Sequence, residues 1–144
     1  MTEKIRVLFV CLGNSCRSQM AEAFARLYGS DVMIPASAGL APAMAVSPAT
    51  ILAMTEKNAD LSDHFPKDIR QLARAHFDLV VNLSGQLLPE FVAWPARNWM
   101  VADPISMDYD EHCAVRDQIE RLVMELIQEM RREQRKSWLE RRRI

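Results

Sequence analysis

Apolar positions along the chain switch between two periods. Ile5–Val10 reads I-R-V-L-F-V, a β-branched, nearly continuous apolar run that suits a strand buried on both faces. After Ser18, placed where a helix cap belongs, with Glu22 further along the first turn, Met20, Ala21, Phe24, Ala25, Leu27 and Tyr28 recur at helical spacing until Gly29. Val32–Ser37 predicts a second strand, interrupted by Pro35. Ser47-Pro48 is a cap followed by proline at the first helical position, opening a helix to about Ala59. Another helix is predicted over Asp68–Ala75. Asp78–Leu83 (D-L-V-V-N-L) reads as a third buried strand and Asn98–Val101 (N-W-M-V) as a short fourth. Val115, Ile119, Leu122, Val123, Leu126, Ile127 and Met130 fall three and four apart, the wide apolar stripe of a long last helix.

Strands separated by helices imply crossover connections and a parallel sheet covered on both faces. The fold class is therefore α/β: a single-domain, three-layer α/β/α sandwich with a four-stranded parallel sheet, in which ligands bind at the carboxyl ends of the strands. No repeat or linker divides the chain. One domain spans 1–134, and 135–144 reads as a basic, flexible extension. Of 144 residues, 49% are hydrophobic and 26% charged, which excludes a disordered or collagen-like chain. Eighteen Lys and Arg against 19 Asp and Glu leave a net charge of −1, so neither nucleic acid nor an anionic membrane is an expected partner. The charge is unevenly placed, with seven basic and two acidic residues from Arg131 to Ile144. No apolar run is long enough for a membrane span, and Ile5–Val10 is too short and poorly flanked for a signal peptide. Three cysteines do not make a secreted disulfide framework. A cytoplasmic location is expected.

The chemistry gathers where strands end. Strand one runs into Cys11-Leu12-Gly13-Asn14-Ser15-Cys16-Arg17-Ser18, and a helix begins there. A strand-to-helix loop of this length can curl its successive N–H groups inward as an anion-binding nest, with the helix N-terminus behind it. Gly13 permits a backbone φ above zero, and Asn14 is the next most tolerant residue. The oxyanion-binding set is thus Leu12, Gly13, Asn14, Ser15, Cys16 and Arg17, the last supplying a planar fork for two oxygens of a tetrahedral anion. Cys11 faces the same concavity as a thiolate nucleophile, and Ser18 can donate to it. Asp103-Pro104 follows the fourth strand on the same sheet edge, placing Asp103 as general acid for the leaving group and base for water. Asp108 and Asp110 are rivals, read as surface and helix-cap residues.

V-C-L-G-N-S-C-R-S-Q-M-A-E, S-A-G at Ser37–Gly39, D-L-V-V at Asp78–Val81 and W-M-V-A-D-P at Trp99–Pro104 together resemble the low-molecular-weight protein tyrosine phosphatase superfamily, whose members include arsenate reductases. The loop from Ser15 to Glu22 is most similar to the arsenate reductase branch. The resemblance implies a phosphotyrosine protein phosphatase I-like fold and phosphocysteine chemistry. It also implies catalytic roles for Cys11, Arg17, Ser18 and Asp103, with Asn14 bracing the loop and Ser37 tying Asn14 in place. His64 could buttress the loop, but a core or exposed histidine is the plainer reading.

The reductases resolve thiol-bound arsenic with two further cysteines after the third strand. Here that stretch is Asn82–Pro89, with Ser84 at the first such position and Cys113 far off at the start of the last helix. Some reductases bind potassium beside the loop. Lys67 stands where a carboxylate ligand would align, so no metal and no other cofactor are expected, and the ammonium could itself brace the loop. Phosphatases carry aromatic residues after Asp-Pro, whereas this chain has Ile105, Ser106 and Met107, with Tyr109 later, and an apolar wall after Gly39 without an aromatic group. A reversible Cys11–Cys16 disulfide would protect the nucleophile.

The expected function is a cysteine-dependent phosphomonoesterase acting on a phosphate monoester or phosphoprotein. The alternative is arsenate reduction by Cys11 with an external small-thiol reductant. A third possibility is an oxyanion-binding regulatory module without turnover.

Overall fold

The computed structural model describes residues 3–143, so Met1, Thr2 and Ile144 lie outside the described residues. Four strands, β1 (Ile5–Cys11), β2 (Met33–Gly39), β3 (Leu79–Asn82) and β4 (Ala96–Asn98), form one sheet in the order β2-β1-β3-β4. Every pairing is parallel. The chain leaves β1 for β2 on one side and later places β3 on the other. The carboxyl end of β1 is therefore a topological switch point, the place where such sheets open a crevice. Cys11 is the last residue of β1.

Three helices, α1 (Arg17–Gly29), α2 (Pro48–Thr55) and α3 (Tyr109–Arg141), carry the main core. Val7, Phe9 and Val81 of the sheet pack there with Met20 and Phe24 of α1, Met54 of α2, and Ile119, Val123 and Ile127 of α3. Leu8, Val10, Ala38 and Val80 point to the other face and are covered by Ile69, Leu72, Phe77 and Trp94. The sheet is thus buried on both faces, as the unbroken apolar strands require. The second cover is thinner than expected: the helix predicted over Asp68–Ala75 is a single 3₁₀ turn, Ile69–Leu72, capped by the Asp68 carboxylate on the Arg70 amide.

Other boundaries move for identifiable reasons. α2 opens at Pro48 behind Ser47 as expected but stops at Thr55, and Asn58 turns the chain with a left-handed φ of 60°. Ser18 is not a cap but the second residue of α1; Cys16 holds the N-cap position. β4 lies earlier than Asn98–Val101, because the Trp99 amide makes the last ladder bond, to the Asn82 carbonyl, and the chain then turns away. Asp108 caps α3 through the Glu111 amide. The segment read as a flexible extension continues α3 as exposed helix to Arg141. No helix among the described residues is long and apolar enough to cross a membrane.

Gly29 closes α1, with a non-left-handed residue, Ser30, at the C-cap. Its bare Cα matters for packing: a β-carbon there would sit 2.7 Å from both Cδ1 and Cγ1 of Ile127, which is fully buried in α3. At a free helical site, Gly→Ala would stabilise by about 1 kcal/mol. Overpacking a buried contact costs about 1–3 kcal/mol. Gly29→Ala is expected to lower the urea midpoint; an unchanged or raised midpoint would show that α1 and α3 are not packed this closely.

Candidate oxyanion site

The loop between β1 and α1 has all of its carbonyls tied outward. Cys11, Leu12, Gly13 and Ser15 accept from the amides of Leu40, Ala41, Ala43 and Ser47, at 2.8–3.1 Å, and Cys16 accepts from Met20. The Asn14 carbonyl accepts from Gln19 Nε2 at 3.0 Å. The N–H groups of residues 12–16, by contrast, donate to no protein acceptor among the described residues. Because amide and carbonyl oppose each other across each peptide, fixing six oxygens outward turns the amides to the concave side. The positive end of α1 lies behind them. A ring of inward amides of this kind can receive a tetrahedral anion.

The left-handed residue is Asn14, at φ 51°; Gly13 does not use its freedom in this way. The Asn14 side chain holds the conformation from both ends. Its Oδ1 accepts from the Lys67 amide at 2.9 Å and its Nδ2 donates to Ser18 Oγ at 2.7 Å. Ser18 Oγ also lies 2.8 Å from Cys11 Sγ, where its hydroxyl can donate to the sulfur. Both Cys11 and Ser18 are buried.

Arg17 is clamped by carbonyls at the ends of two strands. Nη1 donates to Leu83 at 2.6 Å and to Val101 at 3.1 Å. Nη2 stands 3.4 Å from Asp103 Oδ2. Nε is buried without a hydrogen-bond partner, a costly position for a charged donor unless an anion takes it. Asp103 is itself partly open, and its Oδ1 accepts from the Ile105 amide at 3.1 Å. The carboxyl edge of the sheet thus carries Cys11 bonded to Ser18 and Arg17 paired with Asp103.

Ser37 is placed differently. Its hydroxyl donates to Glu22 Oε1 at 2.6 Å, not to Asn14. Glu22 is buried in α1 rather than exposed at its start, and also takes the Arg26 guanidinium. His64, read from sequence as an ordinary core or surface histidine, is a second brace: Nδ1 donates to Gln19 Oε1 at 2.8 Å, and Gln19 holds the Asn14 carbonyl. Burial pushes the His64 pKa down, with the Glu22 charge opposing. Lys67 acts chiefly through its backbone. Its ammonium donates to the Phe65 carbonyl at 3.0 Å and lies over the Phe65 ring, while burial lowers its pKa against the pull of Glu22. An ammonium beside Glu22 does not suit a bound cation. Among the described residues, no group of three or more His, Cys, Asp or Glu is arranged to hold a metal.

The three thiols are all free. The Cys16 sulfur has the hydroxyls of Thr50, Ser15 and Ser47 as neighbours, and burial raises its pKa above the ordinary thiol value. A Cys11–Cys16 disulfide would have to draw Cys11 from Ser18 and Cys16 from this hydroxyl cluster. Cys113 lies on α3 beside Glu56. Ser84 is buried in the turn after β3, donating to Asn82 Oδ1 at 2.6 Å. Tyr109 donates its hydroxyl to Glu56 at 2.9 Å; burial and that carboxylate both raise its pKa.

Sequence reasoning gave Gly39 no role beyond the S-A-G motif. It is where the loop, β2 and the segment before the 3₁₀ turn meet: its amide donates to the Lys67 carbonyl at 2.7 Å, and it pairs with Cys11 across the sheet. A β-carbon there would lie 2.9 Å from the Leu12 carbonyl and 3.0 Å from the Asn14 amide nitrogen. Those are backbone atoms of the anion site and cannot rotate away. Gly39→Ala is expected to cost about 1–3 kcal/mol of stability and to weaken inorganic phosphate binding at least about tenfold, a change of about 1.4 kcal/mol. Phosphate affinity within twofold of the parent, by calorimetry, would contradict the close approach.

Residues 6–136 match the sequence profile of the low molecular weight phosphotyrosine protein phosphatase family. Among curated relatives, a glutaredoxin arsenate reductase from Synechocystis is 35% identical, covering 85% of this chain and 95% of its own. Arsenate reductase 1 of Staphylococcus epidermidis is 35% identical over 84% of this chain and 94% of its own. A solved arsenate reductase in a phosphate-binding state superposes with a TM-score of 0.80 at 34% identity, covering 89% of this chain and 99% of that one. An arginine phosphatase from Geobacillus stearothermophilus shares the fold, with a TM-score of 0.75 at 24% identity, covering 92% and 96% of the two chains. With its profile matched over residues 6–136 and relatives 35% identical over most of its length, the chain belongs to the low molecular weight phosphotyrosine protein phosphatase family.

Proposed function

We propose that this protein is an arsenate reductase in which Cys11 attacks arsenic and a separate molecule supplies the second thiol. The observation that carries the reading is the loop with its carbonyls bonded outward around Cys11 and Arg17. The choice of arsenic over phosphorus as the main reading leans on the relatives, which are named arsenate reductases. Their names fit the alternative from the sequence better than the phosphomonoesterase first expected.

The Cys11 thiolate attacks As(V), and one oxygen departs as water after taking a proton from Asp103. The loop amides and Arg17 hold the remaining oxygens, each well-aimed donor contributing about 10²–10³ in rate. An external thiolate then attacks the Cys11 sulfur. The S–As bond breaks, its electron pair stays on arsenic, and arsenite leaves as As(III). A second external thiol reduces the mixed disulfide, so two thiols become one disulfide for each arsenate consumed. An internal relay has little to draw on, with Ser84 after β3 and Cys113 remote beside Glu56. The cytoplasm, where small and protein thiols are kept reduced, suits this demand.

Phosphate-monoester hydrolysis is a second reading, favoured by the carboxylate of Asp103 at 3.4 Å from Arg17. Cys11 would attack phosphorus while Asp103 protonates the departing alkoxide. Asp103 would then deprotonate the water that hydrolyses phosphocysteine. With Tyr109 held by Glu56 and Ile105 exposed in place of an aromatic clamp, a phosphotyrosine ring is not the favoured substrate.

Arsenite formation should be followed with no thiol, with glutathione and with a reduced thioredoxin system, alongside hydrolysis of para-nitrophenyl phosphate. Arsenite is expected only when thiol is added. Cys11→Ser should abolish it by at least about 10³-fold, and Cys113→Ser should leave it within about twofold, the range of an ordinary surface change. Aryl phosphate turnover without arsenite under any thiol would transfer the assignment to the hydrolase. Undiminished arsenite formation by Cys11→Ser would remove both.

A further inference from the structure

α3 starts directly behind the turn that carries Asp103, and one turn into it lies His112, 1% exposed. Its Nδ1 is 3.3 Å from the Pro104 carbonyl. A carbonyl only accepts, so Nδ1 carries the hydrogen, and in the neutral ring Nε2 is then an acceptor. Nε2 lies 2.9 Å from Thr50 Oγ1, which must therefore donate. Thr50 is fully buried in α2, and its oxygen also adjoins the Cys16 sulfur beneath the anion loop. The chain of contacts runs from the underside of that loop, through Thr50 and His112, to the peptide that follows Asp103.

The turn needs such a tie. Asp103 and Ile105 are exposed, and the described polar contacts of the Asp103 carboxylate are the Ile105 amide and Arg17. Pro104 is buried, and its carbonyl takes both the Met107 amide at 3.0 Å and His112. Burying an imidazole costs free energy unless both nitrogens are bonded, and here both are. Burial and the Arg116 charge favour the neutral ring; the Pro104 carbonyl and the Asp103 charge oppose them, and the net shift is downward.

We propose that His112 is a positioning residue for Asp103: a neutral, doubly bonded imidazole that holds the Asp103–Pro104 turn beside Arg17 and locks it to α2. This rests on Asp103 being the proton donor of the proposed function. His112 touches neither substrate nor the reacting atoms, and acts only through the Pro104 carbonyl.

The test compares His112→Ala, His112→Asn and Thr50→Val with Asp103→Asn on two esters, 2,4-dinitrophenyl phosphate and phenyl phosphate. A general acid matters by about 10²–10⁴, and only for the poor leaving group. His112→Ala is expected to slow phenyl phosphate at least about tenfold while leaving dinitrophenyl phosphate within about threefold. His112→Asn, which keeps a donor near the Nδ1 position, should recover most of the loss. Thr50→Val should fall between, and with His112→Asn it carries the test if His112→Ala does not fold. Equal slowing of both esters by the His112 and Thr50 variants, while Asp103→Asn discriminates, would overturn the proposal. If Asp103→Asn slows both esters equally, the acid assignment is what has failed; if the parent hydrolyses neither, it is the hydrolase reading that has failed. Hydrogen exchange of the Ile105 amide then decides: faster in His112→Ala and restored in His112→Asn supports the positioning role, and an unchanged rate refutes it.

Discussion

Six consecutive carbonyls, from Cys11 to Cys16, are bonded away from the concave side of one loop. Each of those bonds is an ordinary amide contact, contributing about 1 kcal/mol net. Together they do something that a single strong interaction could not, because they set the direction of every peptide dipole in the loop. The partners come from the segment after β2, from the start of α2 and from α1. The anion site is therefore a product of the fold around it and not of the loop sequence alone. Asn14 joins the system by accepting from the Lys67 amide and donating to Ser18, whose hydroxyl in turn contacts the Cys11 sulfur.

Arg17 links this loop to the far half of the sheet. Its Nη1 reads the carbonyls of Leu83 and Val101, where β3 and the segment after β4 end. Leaving the ladder after Asn98 frees the Val101 carbonyl for this use. Asp103 comes two residues later, so the guanidinium and the carboxylate share one anchor. The buried braces behind the loop, Gln19, His64 and Glu22, add polar groups that are costly to bury and are each satisfied by a partner. Such networks rigidify a site when complete.

Much of this was legible before the structure. β1 and α3 announce themselves by apolar runs and spacing, and Cys11, Arg17, Ser18 and Asp103 by residue type at strand ends. What was hidden depends on contacts between distant segments. The stretch Asp68–Ala75 has a helical pattern, yet only one 3₁₀ turn forms over the sheet face. Ser37 was assigned to Asn14 by resemblance, but it lies within reach of Glu22, a partner fifteen positions away that no local signal marks. Gln19 stands in the loop motif without a role, His64 is weighed as a brace and set aside for a plainer reading, and His112 carries no signal; what each does comes from what the fold sets beside it. Gly39 carried a hint in S-A-G, but its reason is a close approach to the Leu12 and Asn14 backbone. The relatives' names move the proposal from phosphorus to arsenic, and Ser84 is the reason it draws the second thiol from outside the chain.

The central claim is that Cys11 is the reactive thiol at the floor of a site that takes a tetrahedral oxyanion. Alkylation of the reduced protein by iodoacetate, followed residue by residue by mass spectrometry with and without inorganic phosphate or arsenate, tests it most directly. The account predicts that Cys11 reacts first among the three thiols, that either anion slows it, and that Asn14→Ala slows it without the anion. Cys16 or Cys113 reacting as fast as Cys11, or a Cys11 rate indifferent to both anions, would contradict it.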